Sequence, residues 1–207
     1  MTMLFVRLLR GLKSELLLAG LFVLLANPKD GHADDSVSAL KDNALLIYAG
    51  KLSHDHWYES FGPGTDFIDS TIAVVALSHT FHRAADLRDS YEVEGQIAQH
   101  SGLQEHNEIN LLAAYRWHHL PWSSRLNSSV AFGLGISYAT ELPLVEVLIK
   151  SESDRLMAYW HLELTLGPQK SDWQAMLRLH HRSTAFGLFG DEGGANAMTL
   201  GVRYAFE

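Results

Sequence analysis

A histidine and a serine two residues apart, His181 and Ser183, end a segment in which apolar and polar side chains alternate from Trp173 onward. Successive side chains of a β-strand point to opposite faces, so both residues share the apolar face, with Cβ atoms roughly 6.5–7 Å apart. A serine hydroxyl becomes a nucleophile when a base takes its proton, and imidazole can do so near neutral pH. The pair therefore indicates either ester hydrolysis beside an apolar substrate or an ordinary polar edge of an apolar band. By the same alternation, His180 points to the opposite face.

Serine chemistry of this kind also needs a third group, which fixes the histidine tautomer and stabilises the imidazolium. The glycine-rich connection after Ser183 contains two acids, Asp191 and Glu192, and Asn196 opens the next segment on the same face as His181. We predict Glu192 as the orienting residue because it carries a charge. Asn196 is the alternative because it has the better position, on the adjacent strand.

The elements that would position these residues are amphipathic segments of strand length, bounded by polar or Gly/Pro-containing stretches. Eight of them recur along the chain, at about 44–52, 70–80, 91–100, 106–118, 126–138, 156–166, 172–183 and 195–206. The alternation is clearest from the fourth segment onward. In the first two, residues 45–47 and 72–77 are apolar on both faces, which leaves their register open. The sequence predicts an all-β protein, an eight-stranded antiparallel β-barrel.

The distribution of charge between the two faces favours a transmembrane barrel over a soluble periplasmic barrel, the alternative. Acidic and basic residues share the face that also carries many small residues, as a narrow paired interior requires. These charged residues are Glu92, Glu94, Glu108, Arg116, Glu163, Arg178 and Arg203. The apolar face carries aromatic residues, several near strand ends, as an interfacial girdle would. They are Trp117, Tyr138, Trp160, Trp173, Tyr204 and Phe206.

The first 33 residues have the pattern of a secretory signal peptide: a basic start, an apolar run over 16–26 and small residues before Asp34. Residues 34–207 are then the barrel domain. The chain has 24 acidic and 16 basic residues and no cysteine, which argues against nucleic-acid binding and excludes thiol chemistry. The ending Gly201-x-x-Tyr204-x-Phe206 resembles the strand signal that the outer-membrane assembly machinery reads, so we expect that machinery as a partner.

His181-Arg182-Ser183, the glycine-rich loop after it and residues 196–206 resemble the lipid A 3-O-deacylase (PagL-type) family of acyloxyacyl hydrolases. Residues 91–143 resemble a divergent branch of that family. The resemblance implies an eight-stranded barrel of the bacterial outer membrane that hydrolyses a fatty-acyl ester of lipid A in lipopolysaccharide. It places the family's histidine and serine at His181 and Ser183.

Two positions depart from the family pattern. The asparagine that helps to form the family's oxyanion hole is replaced by Thr184, and no carboxylate stands at 195–196, where the family's acid falls. Glu192, or else Asp191, would then supply the acid, or Asn196 would orient the histidine. Backbone N–H groups around Thr184 and Gly187 are the candidate oxyanion donors. Such chemistry needs no metal or organic cofactor.

A different class of function, a non-catalytic structural or adhesive barrel, remains the alternative. Two further clusters have simpler interpretations than catalysis. His54-Asp55-His56 is a conceivable metal site, but we predict a solvated turn. Glu92, Glu94 and Glu108 are predicted to pair with interior cations, because side chains fill the inside of an eight-stranded barrel.

Overall fold

The computed structural model describes residues 41–62 and 64–207. The predicted signal peptide, 1–33, lies outside the described residues, as do residues 34–40 of the predicted barrel domain. Among the residues that the structure describes, no helix is both long and apolar enough to cross a membrane.

Eight antiparallel strands form one closed barrel, in which each strand pairs with its neighbours in sequence and the last strand pairs with the first. The strands are β1 (Asn43–Ser53), β2 (Phe67–Arg83), β3 (Asp89–Gly102), β4 (Asn107–Trp117), β5 (Leu126–Ala139), β6 (Leu156–Pro168), β7 (Trp173–Ser183) and β8 (Asn196–Phe206). The predicted all-β, eight-stranded antiparallel fold is therefore confirmed. The start of β1 and the end of β8 lie at the same end of the barrel, since Asn43 pairs with Phe206.

The structure differs from the predicted segments in length and in one added element. β2 and β3 extend beyond the predicted 70–80 and 91–100. A short helix, α1 (Leu144–Lys150), lies between β5 and β6. Pro143 is its N-cap and Ser151, in the left-handed region at φ 69°, its C-cap. Seven residues hold too few helical turns to show a periodicity, so this helix had no clear signal in the sequence.

The two faces of the sheet have the polarity expected of a membrane barrel. In β4, Ile109, Leu111 and Tyr115 are exposed on the outside, whereas Asn110 and Arg116 are buried inside. The same alternation holds in β3, where the exposed Val93 and Ile97 alternate with the buried Glu92, Glu94 and Gln96. The apolar exterior and charged interior that the sequence predicted are confirmed.

The interior next to β1 and β2 is apolar, which explains why these two segments are apolar on both faces. Their inward side chains form a cluster with neighbouring strands and α1. Its members are Ala44, Leu46, Tyr48, Leu52, Ile68, Ile72, Val74, Ala76, Ala98, Val145, Met176 and Ala197. The pairing of Leu46 with Ala76 fixes the register that the sequence left open.

Much of the remaining interior is an ion-pair network, as predicted for Glu92 and Glu94. Arg178 is fully buried and bonds to Glu94 at 2.6 Å and to Glu163. Arg116 bonds to Glu92 and to Glu163, each at 2.8 Å. Arg203 joins Glu92 at 3.1 Å. Glu92, Glu94 and Glu163 therefore each lie next to at least one guanidinium, whereas Glu108 contacts two histidines, His100 and His180, instead of a guanidinium.

We expect Arg178→Met to destabilise the barrel by about 3–5 kcal/mol, because it leaves Glu94 and Glu163 with less compensation inside the barrel. The matched control is Arg88→Ala, which removes an exposed pair with Asp86 and should cost about 1 kcal/mol or less. Urea unfolding of the barrel in lipid vesicles measures both. Equal effects of the two substitutions would show that the buried network does not stabilise the fold.

Candidate active site

His181 and Ser183 lie at the end of β7 with their side chains on the outer, apolar face, both partly buried. His181 is paired with Trp160 of β6 on one side and with Asn196 of β8 on the other. Ser183 is paired with Ala158 of β6. The alternation along β7 thus brings the two residues to one wall of the barrel, as predicted.

A chain of two hydrogen bonds orients the imidazole. The Asn196 Nδ2 donates to the Asp55 carbonyl oxygen at 2.7 Å, and the Asn196 Oδ1 lies 2.5 Å from the His181 Nδ1. A carbonyl can only accept, so the NH₂ group of Asn196 faces Asp55 and its oxygen faces the ring. His181 must then carry its hydrogen on Nδ1. Its Nε2 keeps a free lone pair, which is the state that a general base requires.

Glu192 and Asp191, the acids considered as orienting residues, lie exposed in the loop between β7 and β8. In the described part of the chain, neither carboxylate makes a hydrogen bond or ion pair. The residue that bonds to the His181 Nδ1 is therefore Asn196, the alternative, and not Glu192.

Glycines shape the end of this loop. Gly194 has φ +104°, and a Cβ there would lie 2.2 Å from the Arg182 carbonyl oxygen. Gly193 has φ +133°, and its Cβ would lie 3.2 Å from the Ser153 Cα. A side chain at either position would be strained and crowded. The two glycines thus allow the chain to pass close to β7 and the residues before β6 on its way to Asn196.

The residues after Ser183 form a tight turn that includes the candidate oxyanion donors Thr184 and Gly187. The Thr184 carbonyl accepts from the Phe189 N–H at 3.0 Å. Ala185, Phe186 and Gly187 have φ 49°, 60° and 90°. Left-handed backbone at two non-glycine residues is uncommon and often occurs at functional sites. The Ala185 N–H lies 3.4 Å from the Ser183 Oγ, so one backbone donor is close to the hydroxyl.

Aromatic rings cover the wall around His181. The ring centroid of Trp160 lies 4.5 Å from that of the imidazole. The rings of Phe132 in β5 and Trp57 in the β1–β2 loop pack against Trp160, with centroid distances of 6.1 and 5.6 Å. The sequence suggested Trp160 only as a girdle residue and gave no role to Trp57 or Phe132. The outward position of Trp160 was readable from alternation, but its neighbours depend on strand register.

A cavity of about 150 Å³ opens beside the imidazole, with His181, Asn196, Asp55, Trp57 and Lys150 in its lining. Ser183 is not part of that lining. The volume is below the roughly 300–1,000 Å³ of ligand pockets that enclose a small molecule. A ligand larger than this cavity would therefore have to lie largely along the open wall.

The other histidines singled out in the sequence are placed as predicted. His180 points inward and its Nε2 lies 2.9 Å from the Glu108 carboxylate. His54-Asp55-His56 lies in a hydrogen-bonded turn: the Asp55 carboxylate accepts from the Asp66 N–H at 2.7 Å, and His56 stacks on Tyr58. The Asp55 carbonyl, which holds Asn196, had no signal in the sequence because any residue type supplies one.

Comparison with solved structures finds the same architecture in a crystal structure of the outer membrane enzyme PagL. The barrel has the PagL fold. The TM-score is 0.56 at 10% sequence identity, and the match covers 79% of this chain and 99% of that one. At this identity the likeness to PagL shows the fold, which confirms the fold expected from the sequence resemblance. No protein-family model matches the chain, and no curated protein matches it.

Proposed function

We propose that the protein is a serine esterase of the bacterial outer membrane that hydrolyses a fatty-acyl ester of lipid A. The observation that carries the proposal is the hydrogen-bond chain from the Asp55 carbonyl through Asn196 to His181. It holds the imidazole in the tautomer whose Nε2 can accept a proton, on the same face as the Ser183 hydroxyl. The PagL fold and the apolar outer wall agree with a lipid substrate.

In the proposed reaction the Ser183 Oγ attacks the ester carbonyl while His181 Nε2 takes the hydroxyl proton. The tetrahedral intermediate collapses and the sugar oxygen leaves with the proton from His181. This step gives an acyl-serine and an under-acylated lipid A. Water then attacks the acyl-serine with His181 as base, and the free fatty acid leaves as the serine proton returns. Asn196 keeps the ring in place throughout but supplies no negative charge to the imidazolium.

The developing oxyanion would be stabilised by backbone N–H groups of the turn that follows Ser183. Ala185, whose N–H is the closest described donor to the hydroxyl, joins Thr184 and Gly187 as candidates. The left-handed backbone at Ala185 and Phe186 allows successive N–H groups to converge, as in other anion-binding turns.

Membrane insertion is proposed from strand length and surface chemistry. The shortest strands have 11 residues, and a tilted strand needs about 9–11 to cross a bilayer. The site lies at the barrel end opposite the start of β1 and the end of β8, and it would be at the outer face if those two strand ends face the periplasm. The substrate would then be lipid A of the outer leaflet, and the outer-membrane assembly machinery would insert the barrel.

Two strongly exposed apolar side chains of the β7–β8 loop, Phe186 and Leu188, lie three and five residues after Ser183. We expect the double substitution Phe186→Ser/Leu188→Ser to raise KM for lipid A in vesicles by roughly 10-fold with little change in kcat, since it removes apolar contact with the bilayer. Hydrolysis assays on vesicles and on a short-chain soluble ester measure this. A matching rise in KM for the soluble ester would refute a role in lipid contact.

The competing proposal, a non-catalytic structural or adhesive barrel, draws on the missing carboxylate beside His181. Mass spectrometry of lipid A from cells with and without the protein separates the two proposals. We expect lipid A lighter by one acyl group when the protein is present. Identical acylation with the folded barrel present in the membrane would favour the structural role.

A further inference from the structure

A cluster of three histidines and one carboxylate lies inside the barrel at the end that carries the candidate active site. His100 lies near the end of β3, His106 precedes β4, Glu108 lies at the start of β4 and His180 lies near the end of β7. All four are buried. The Glu108 carboxylate lies 2.9 Å from the His100 Nε2 and 2.9 Å from the His180 Nε2. The ester chemistry proposed above uses none of these side chains.

Three of these residues bring donor atoms close together. His100, His106 and Glu108 each offer one ligand atom, and these atoms lie within 4.8 Å of one another. The His106 Nε2 is buried and has no hydrogen-bond partner among the described residues. A void of about 10 Å³, about the size of one water or ion, is lined in part by His100, Glu108 and His180, and His106 lies outside this lining.

The charges around the cluster also suit a cation. The nearby cation, Arg182, is held by Glu146 at 2.6 Å, and its charge is thereby compensated. Carboxylate and imidazole groups form the ligand set that zinc and similar ions prefer.

We propose that His100, His106 and Glu108 bind a divalent transition-metal ion of the Zn²⁺ type inside the barrel mouth, with His180 as the fourth ligand. The His100 and His180 rings now donate from Nε2 to the Glu108 carboxylate, so metal binding requires their hydrogen to shift to Nδ1. Metal bonds then replace these hydrogen bonds, and the side chains must adjust to Zn–N and Zn–O bonds of about 2.0–2.2 Å. The ion would join β3, β4 and β7, including the residue next to His181.

The test is a titration of the untagged, folded barrel in detergent with Zn²⁺ against a competing chromophoric chelator. We expect one tight site per chain and a rise in Tm with Zn²⁺. His106→Ala should weaken binding by roughly 100-fold or more and abolish the rise in Tm. The matched control is the double variant His54→Ala/His56→Ala, which removes the exposed histidine pair of the β1–β2 loop and should bind Zn²⁺ as the wild type does.

Absence of a stoichiometric site in the wild type would overturn the proposal. So would retention of the site in His106→Ala, or its loss in the control variant. Should His106→Ala not fold, X-ray absorption of Co²⁺ bound to the control variant decides the matter. Imidazole ligands in that spectrum support the interior site, and a shell of water and carboxylate oxygens alone refutes it.

Discussion

Ser183→Ala and His181→Ala should each lower lipid A deacylation by at least about 1,000-fold while the barrel folds normally. The first substitution removes the nucleophile. The second removes the base, since no other base lies on the same face within two residues of Ser183. The nucleophile and its base act as one unit, so the loss of either removes nearly all of their catalytic effect. The rate of fatty-acid release from lipid A vesicles measures the loss, and the heat-dependent gel mobility of the barrel confirms folding.

Ser101→Ala is the matched control for this prediction. Ser101 is an exposed serine near the end of β3, at the same barrel end, and its hydroxyl bonds only to Thr71 among the described residues. Its removal should leave the rate within about 2-fold of the wild type, since surface substitutions away from a site have small effects. If a folded Ser183→Ala variant retains full activity, Ser183 is not the nucleophile.

Asn196→Ala should lower kcat by roughly 100- to 10,000-fold, the second largest effect that we expect. Without the Asn196 oxygen, His181 loses the bond that keeps its hydrogen on Nδ1, and a histidine in the wrong tautomer is a poor base. Glu192→Gln is the comparison. Its carboxylate makes no described contact with His181, so the rate should change by no more than about 3-fold. Steady-state kinetics on the same vesicles measure both variants.

The reverse outcome is equally informative. A crippled Glu192→Gln and an active Asn196→Ala would mean that the loop acid reaches His181 in the working enzyme and that the Asn196 contact is not the catalytic one. The Asn196→Asp variant distinguishes the orientation of the His181 ring from the effect of a negative charge beside it. An aspartate can accept from Nδ1 and stabilise the imidazolium, but it cannot donate to the Asp55 carbonyl.

The alternation of side chains was enough to predict the barrel and the face of its chemistry. Side chains of a strand point alternately inward and outward. The sequence alone therefore predicted the lumenal positions of Arg116 and Arg178 and the outward positions of His181 and Ser183. The pairing of interior charges followed because a buried guanidinium needs a carboxylate.

Alternation could not supply contacts that depend on register or on loop conformation. Because the interior beside Leu46 and Ile72 is apolar, both faces of β1 and β2 have the same polarity. The sequence therefore does not show which of the two faces points inward. The choice between Glu192 and Asn196 depended on the path of a loop with several left-handed residues, which the sequence shows only as a run rich in glycine. The contact between the Asp55 carbonyl and Asn196 spans 141 residues of sequence.

The central claim, that Ser183 is the nucleophile of an esterase on the outer wall, is tested most directly with an active-site phosphonate probe on the folded, active protein. We predict one covalent adduct per chain, mapped by peptide mass spectrometry to Ser183. Its formation should run parallel to the loss of lipid A deacylation and should not occur in His181→Ala. An active enzyme that is inactivated by labelling at another residue, or that keeps its activity with Ser183 fully labelled, would contradict the claim.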